Sequence, residues 1–389
     1  MKDKIGLRAP IIAGLVASIT GTAATVGIFL SAYVNLGASK EQSIAMVSIM
    51  LVAYGLLSIV LSWKFKMPLS IVWSTPGAAL IAGSTLPDLG FSNAMGGVLI
   101  AGLLLALTGL WPALGKLVSK IPKSVASAML AGVIFSFCVA PFAASATYPA
   151  LVLPVILVWI VLYWLAPVWA SPAAIILAFT LIGFDQGLKV APSDWLVSVN
   201  FVMPTFSLAS MLSIALPLYL VAMASQNIPG IAIMKTYGYE VPFRASLTTT
   251  GLGTVAVSFL GGFVMNLAAI TAALNANEQA HKDPAKRWLA SVSGGIVYCF
   301  FAIFAGIAVA FVIQTPTQLL LAASGLALLP TIVSAFSTMV EIPSERIPAV
   351  AAFLVASSGV AFFSVGAAFW AILVGLAVMQ LLKLKRPFA

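Results

Sequence analysis

"MPLSIVWSTPGAAL", residues 67–80, lies inside an apolar stretch and yet places Trp73-Ser74-Thr75-Pro76-Gly77 at its centre. A helix that merely crosses a bilayer has no use for such a break, because every backbone N–H and C=O it frees must find a partner within the protein. The residues themselves describe a helix start. A hydroxyl at Ser74 or Thr75 can cap the first turn, and Pro76 fits that turn because its missing N–H would have no helical partner there anyway. The stretch therefore reads as extended backbone over Leu69–Trp73 followed by a half-helix from Pro76, with its N-terminus in mid-membrane.

That reading requires a membrane around it, and the composition supplies one. Of 389 residues, 62% are hydrophobic and only 7% charged, with a mean hydropathy of +1.12. Nineteen basic and ten acidic side chains cannot cover the outer surface of a soluble chain of this length. "MKDKIGLRAP" is basic and runs into an apolar segment longer than a signal-peptide core, so it opens the first span. The basic residues are scattered in short clusters between spans, where they orient a membrane protein; nucleic acid is not an expected partner. Cys138 and Cys299 lie in separate apolar segments, with no spacing for a metal site or a disulfide framework. No cofactor is expected.

About 20 apolar residues make a span. Charges, prolines and glycines divide the chain into fourteen, near 10–35, 42–63, 68–84, 92–115, 124–144, 149–166 and 170–184, then 208–233, 245–260, 262–277, 288–312, 316–336, 347–363 and 365–382. The charges test this division independently. Seventeen of the nineteen Lys and Arg residues fall on one side, leaving Lys40 and Lys189 on the other. Both termini are thereby expected to be cytoplasmic, in a bacterial-type inner membrane, and the segment containing "WSTPGAAL" must cross.

An offset of 194 residues aligns features from four spans: Pro76-Gly77-Ala78-Ala79-Leu80 with Ile270-Thr271-Ala272-Ala273-Leu274, Pro122 with Pro316, Pro154 with Pro348, and Ser171-Pro172-Ala173-Ala174 with Val365-Gly366-Ala367-Ala368. A repeat of seven spans, an odd number, must enter the membrane from the opposite side the second time. The fold class expected is an all-α membrane protein of fourteen transmembrane segments in a 7+7 inverted repeat, a plan shared by many secondary transporters.

The second repeat supplies its own break in "GGFVMNLAAITAALNANEQAH". Gly261-Gly262 ends the preceding helix, Phe263–Met265 can be extended, and Asn266 can cap a second half-helix. Each helix N-terminus carries roughly half a positive charge and free N–H groups, so two facing each other make an anion site without a formal cation. The carboxylates agree. Asp3, Glu41, Asp88, Asp185, Asp194, Glu240, Glu278, Asp283, Glu341 and Glu345 all fall in loops or near span ends, leaving no deep acid to repel an anion.

A third polar cluster, Ser225, Gln226 and Asn227, followed by Pro229 and Gly230, interrupts the eighth span; such amides serve either a ligand or a neighbouring helix. Ser18, Thr20, Gly21, Thr22 and Thr25 in the first span are weaker candidates, since small residues also pack helices. Phe29, Trp73, Tyr219 and Phe263 lie near the breaks and permit an aromatic ligand.

"WSTPGAAL", "ALPLYLVAMASQNIPGIAIMKTYGY" and "NLAAITAAL" with the following "DPAKRWLA" resemble the benzoate membrane transport protein family, the benzoate:proton symporters, essentially end to end. That family is similar to uracil and xanthine permeases and, more distantly, to sulfate and bicarbonate transporters. The resemblance implies a core domain from residues 1–120 and 207–314 and a gate domain from 121–206 and 315–389. It also implies short strands in spans three and ten, and a homodimer like many relatives. Substrate-binding residues carried over are Ser74, Thr75, Gly77, Ser225, Gln226, Asn227, Asn266 and Thr271. The nucleobase permeases place acids in spans eight and ten; here those stretches read "MASQN" and "NLAAIT", which disfavours a neutral base and favours an anion.

The function implied is proton-coupled import of benzoate or a related small aromatic carboxylate by an elevator-like movement of core against gate. A nucleobase permease and an inorganic anion transporter or channel of the same fold are the alternatives. Proton coupling falls to Glu278, the acid nearest the second break, or to the substrate itself as benzoic acid. His281, the one histidine, sits in a basic loop. An intramembrane enzyme would need a nucleophile with a positioned base or a metal cluster, and the deep segments offer neither.

Overall fold

The computed structural model describes residues 8–83, 89–111, 113–114, 121–186, 197, 199–268, 270–314, 317–360, 362 and 366–383. Among these a helical segment lies at each place where the hydropathy pattern expects a span. The first half comprises α1 (Arg8–Asn35), α2 (Lys40–Phe65), strand β1 (Ile71–Trp73) leading into α3 (Thr75–Gly83), α4 (Phe91–Leu110), α5 (Lys123–Thr147), α6 (Pro149–Leu165) and α7 (Pro167–Gln186). The second comprises α8 (Leu208–Thr236) and α9 (Phe243–Ser258), then β2 (Met265–Leu267) before α10 (Ile270–Ala276). It continues with α11, which runs as Trp288–Phe301 and Ala305–Gln314 about a 3-10 turn, and with α12 (Thr317–Val340), α13 (Arg346–Ser357) and α14 (Ala367–Lys383).

The helix α8 is irregular for a reason written in its sequence. Two π-helical turns, Met211–Ala215 and Ala222–Asn227, each precede a proline, Pro217 and Pro229. Proline has no N–H to give and its ring crowds the carbonyl four residues back, so the preceding turn widens.

The packing repeats itself under exchange of the two halves. The α4–α9 contact becomes α11–α2 when each segment is replaced by its counterpart seven segments along, α6–α7 becomes α13–α14, and α5–α12 maps onto itself; all are main contacts of the molecule. Both the α4–α9 and the α2–α11 contacts are made through glycines. A Cβ on Gly102 would stand 2.9 Å from the Gly251 carbonyl oxygen, and one on Gly55 would stand 2.7 Å from that of Gly295. Helix backbones meet where no side chain intervenes, which is how helices gain contact when lipid removes the hydrophobic drive to associate. Outward-facing residues such as Leu157, Trp164 and Phe184 are exposed and apolar, as a lipid-facing surface requires.

The two strands pair antiparallel, with Ile71 opposite Leu267, Val72 opposite Asn266 and Trp73 opposite Met265. Val72 and Asn266 are separated by the repeat offset of 194. A directly opposed pair in an antiparallel ribbon sits on its local two-fold axis, so the ribbon's centre coincides with the symmetry axis relating the halves. The register and the sequence offset thus report one two-fold relation.

Candidate functional site

A two-stranded ribbon inside an apolar protein must account for every backbone polar group. Beyond the strand pairing itself, the Ser74 N–H donates to the Val264 carbonyl (2.9 Å) and the Ala268 N–H to the Ser70 carbonyl (2.9 Å). The outer edges are served by side chains from neighbouring helices. Ser58 on α2 accepts from the Ile71 N–H (2.8 Å) and donates to the Ile71 carbonyl (3.0 Å). Thr254 on α9 accepts from the Met265 N–H (3.0 Å), and the Asn227 Oδ1 on α8 accepts from the Leu267 N–H (3.0 Å). Each buried group left without such a partner would cost about 1–3 kcal/mol.

From opposite ends of this ribbon the half-helices α3 and α10 run outward, so both N-termini point back toward it. By strand rise the ribbon's two outgoing ends, Ser74 and Ala268, are separated by about 13 Å along it. Ser74 caps α3, its Oγ accepting from the Gly77 N–H (3.2 Å), with Thr75 as the first helical residue and Pro76 the second. Gly77 is needed for this cap: a Cβ there would lie 2.8 Å from Ser74 Oγ and 3.0 Å from a Leu218 methyl. Its role is to admit the cap and the approach of α8.

The second break differs from expectation. Asn266 does not cap a half-helix; it is the central residue of β2, and α10 begins at Ile270. Pairing continues through Ala268, which donates to Ser70, so the chain cannot turn helical earlier. The extended stretch is accordingly Met265–Leu267 in place of Phe263–Met265. Asn266 is fully buried; its amide nitrogen donates to the Leu267 carbonyl (3.1 Å), while its Oδ1 has no partner.

The remaining expected residues separate into two groups. Thr271 is buried in the first turn of α10, beside the ribbon's end. Asn227 is spent on the ribbon edge and on the Ala222 carbonyl (3.1 Å), and Ser225 donates to the Val221 carbonyl of its own helix. Gln226 is half-buried on the same π-helical turn. Glu278 stands exposed on the turn after α10. Thr20 lies among residues whose side chains are outside the description.

An aromatic cluster backs the ribbon. Phe29 stacks on Trp73 at 3.9 Å and meets Phe263 edge-on at 5.4 Å, while Tyr54 contacts both Trp73 (5.6 Å) and Tyr298 (4.7 Å). The Trp73 indole donates to Thr25 Oγ1 (3.0 Å), which ties β1 to α1. Tyr219, by contrast, shares a hydrogen bond with Thr108 (2.6 Å) and joins α8 to α4.

Electrostatically the region has no buried carboxylate among the described residues. The one buried charge there is Arg287, at 5% exposure, donating from Nη1 to the Ala276 carbonyl and from Nε to the His281 carbonyl, both at 2.7 Å. It closes the C-terminus of α10, where a cation complements the helix dipole.

Ser58 and Thr254 escape a residue-by-residue reading, because a lone hydroxyl in a helix is ordinary. The repeat does not single them out either: the targets Ile71 and Met265 are equivalent at the offset of 194, but Ser58 precedes its target by 13 residues and Thr254 by 11.

Residues 7–381 match the family model for the benzoate membrane transport protein. The chain belongs to the benzoate membrane transport protein family. Among relatives, it is 34% identical over 368 residues to the inner membrane protein YdcO of Escherichia coli (strain K12), covering 94% of this chain and 93% of that protein. It is 31% identical over 376 residues to the benzoate membrane transport protein of Acinetobacter baylyi, covering 96% and 95% respectively. As a member of this family it is a membrane transporter. Its fold is shared with the transmembrane domain of the cyanobacterial bicarbonate transporter BicA (TM-score 0.59, 15% identity, 98% of both chains). The murine anion transporter Slc26a9 in its inward-facing state has the same fold (TM-score 0.59, 13% identity, 98% of this chain and 68% of that one).

Proposed function

We propose that this member of the benzoate transport family imports benzoate or a closely related small aromatic carboxylate, together with a proton, across the bacterial inner membrane. The observation that carries the reading is the carboxylate-free ribbon, aromatic on one side, at which two half-helices direct their N-termini. An aromatic carboxylate matches it part for part, with the anion toward the helix ends and the ring against apolar wall. Ser74, Thr75, Asn266 and Thr271 hold the anionic end in this reading, with Gln226 flanking it from α8.

The transport step is a shift of a core domain (residues 1–120 and 207–314) against a gate domain (121–206 and 315–389), in an elevator-like movement, with both termini cytoplasmic. The mutual packing of α2 with α11 and of α4 with α9, set beside that of α5 with α12 and α13, supports this division. A homodimer completes the proposal. The proton has two routes, Glu278 or the substrate carboxyl; the exposure of Glu278 favours the substrate, which would then move as benzoic acid.

The test is uptake of labelled benzoate into proteoliposomes with and without an acidic outer pH, measured against empty liposomes because benzoic acid crosses lipid unaided. Saturable, protein-dependent uptake driven by the proton gradient is expected, and Thr75→Val or Asn266→Leu should abolish it while the protein remains folded. No excess over empty liposomes would turn the search to nucleobases and inorganic anions.

A further inference from the structure

Two glycines of α1 do opposite things. A Cβ on Gly14 would lie 2.1 Å from the Ala290 carbonyl oxygen, so this glycine exists to let α1 and α11 touch. A Cβ on Gly21 would meet, among the described residues, only two atoms within 4 Å, and both are hydroxyl oxygens: Tyr298 Oη at 3.6 Å and Thr271 Oγ1 at 4.0 Å. These are ordinary contact distances. Packing therefore does not demand glycine at 21; what its absent side chain leaves is a space faced by two hydroxyls.

The Tyr298 phenol is 3% exposed, and its oxygen makes no well-formed hydrogen bond, although the Ser18 and Thr271 hydroxyls are its polar neighbours. A buried hydroxyl so placed costs about 1–3 kcal/mol unless something fills the need. Its ring is fixed against Tyr54 at 4.7 Å, so the oxygen's position is set by packing. Thr271 lies in the first turn of α10, one of the two half-helix starts. No acid lies among the described buried residues, so the cluster offers donors without a competing negative charge.

We propose that the niche over Gly21, walled by Tyr298 and Thr271, receives the substrate's carboxylate, with Tyr298 as a substrate-binding and specificity-determining residue on α11. This assignment rests on the aromatic carboxylate reading. It adds to that reading a donor from outside the two broken segments, and it gives Gly21 a function. A carboxylate oxygen accepts charge-assisted hydrogen bonds from the phenol and the threonine hydroxyl, whereas the oxygen of a neutral amide accepts only the weaker uncharged ones. The niche therefore discriminates benzoate from benzamide.

The experiment is proteoliposome uptake of labelled benzoate by wild type, Tyr298→Phe and Gly21→Ala, with unlabelled benzoate and benzamide as competitors and thermal unfolding in detergent as the folding control. Tyr298→Phe is expected to raise KM for benzoate roughly tenfold, as loss of a hydrogen bond to a charged group implies, with the maximal rate kept. Competition by benzamide should change little, so the preference for benzoate narrows. Gly21→Ala fills the niche without a clash and should weaken benzoate uptake at unchanged melting temperature. If Tyr298→Phe fails to fold, Gly21→Ala carries the test. Wild-type KM and wild-type preference in the folded variants, alongside lost uptake in Thr75→Val, would overturn the niche and leave the transport reading intact. Absence of saturable benzoate uptake by the wild type would overturn both.

Discussion

The two halves of the central ribbon reach the same geometry by different chemistry. Strand β1 is secured locally: Ser58 lies 13 residues before its target, and Ser74 caps the half-helix that follows at once. Strand β2 has a near partner in Thr254, 11 residues before Met265, but depends also on Asn227, 40 residues before its target, and on an arginine that closes the far end of α10. A half built from neighbours announces itself in a short stretch of sequence. A half that also needs distant side chains shows only its break.

The largest expected effect follows from that dependence. Asn227→Leu orphans the Leu267 N–H and removes a donor to the Ala222 carbonyl, and should destabilise the protein by about 3 kcal/mol. Thermal unfolding in detergent measures it. If Asn227 were chiefly a substrate ligand, the variant would instead keep its melting temperature and lose affinity.

Ser58→Ala and Thr254→Val compare the two edges directly. Ser58 serves both the N–H and the carbonyl of Ile71, whereas Thr254 serves only the Met265 N–H. Ser58→Ala is therefore expected to cost about 2 kcal/mol and Thr254→Val about 1 kcal/mol, from the same unfolding measurement. Equal losses would mean that the Ser58 donation to the Ile71 carbonyl contributes nothing.

At the half-helix starts the comparison separates stability from transport. Ser74→Ala removes a true cap and should cost about 1 kcal/mol. Asn266→Leu removes an oxygen that has no partner among the described residues together with one donation to the Leu267 carbonyl, so stability is expected to change by less than about 1 kcal/mol while benzoate uptake is lost. A fall in melting temperature without loss of uptake would make Asn266 a structural residue like Asn227.

These contrasts also explain what could be read beforehand. Ser74 and Pro76 are adjacent to the helix they start, so the first break, its extended approach and its half-helix were legible from five residues. The positions of the described helical segments were legible too, because apolar length is a local property. Asn266 misled because asparagine is a good cap, and nothing adjacent reveals that Ala268 still pairs with Ser70. The part Asn227 plays at the ribbon edge was hidden for the converse reason: the Leu267 N–H it serves lies 40 residues away. Tyr298 gave no signal at all, since an aromatic residue in an apolar helix is ordinary until its hydroxyl is found without a well-formed hydrogen bond.

The smallest effect is expected at Glu278. The acid is exposed on the turn beyond α10, on the distal side of that half-helix from the ribbon. If the proton travels on the substrate carboxyl, Glu278→Gln leaves both the rate of benzoate uptake and its dependence on an acidic outer pH unchanged. If Glu278 is the carrier, the neutral side chain should still permit exchange of labelled for unlabelled benzoate but abolish accumulation against a gradient. Measuring exchange and accumulation in the same proteoliposomes distinguishes the two, because only the second requires the proton to be coupled. An unchanged variant would assign the coupling to the ligand, and the absence of buried acid at the ribbon would then follow from the chemistry: a site that binds a carboxylate and a proton together needs donors, not a second carboxylate.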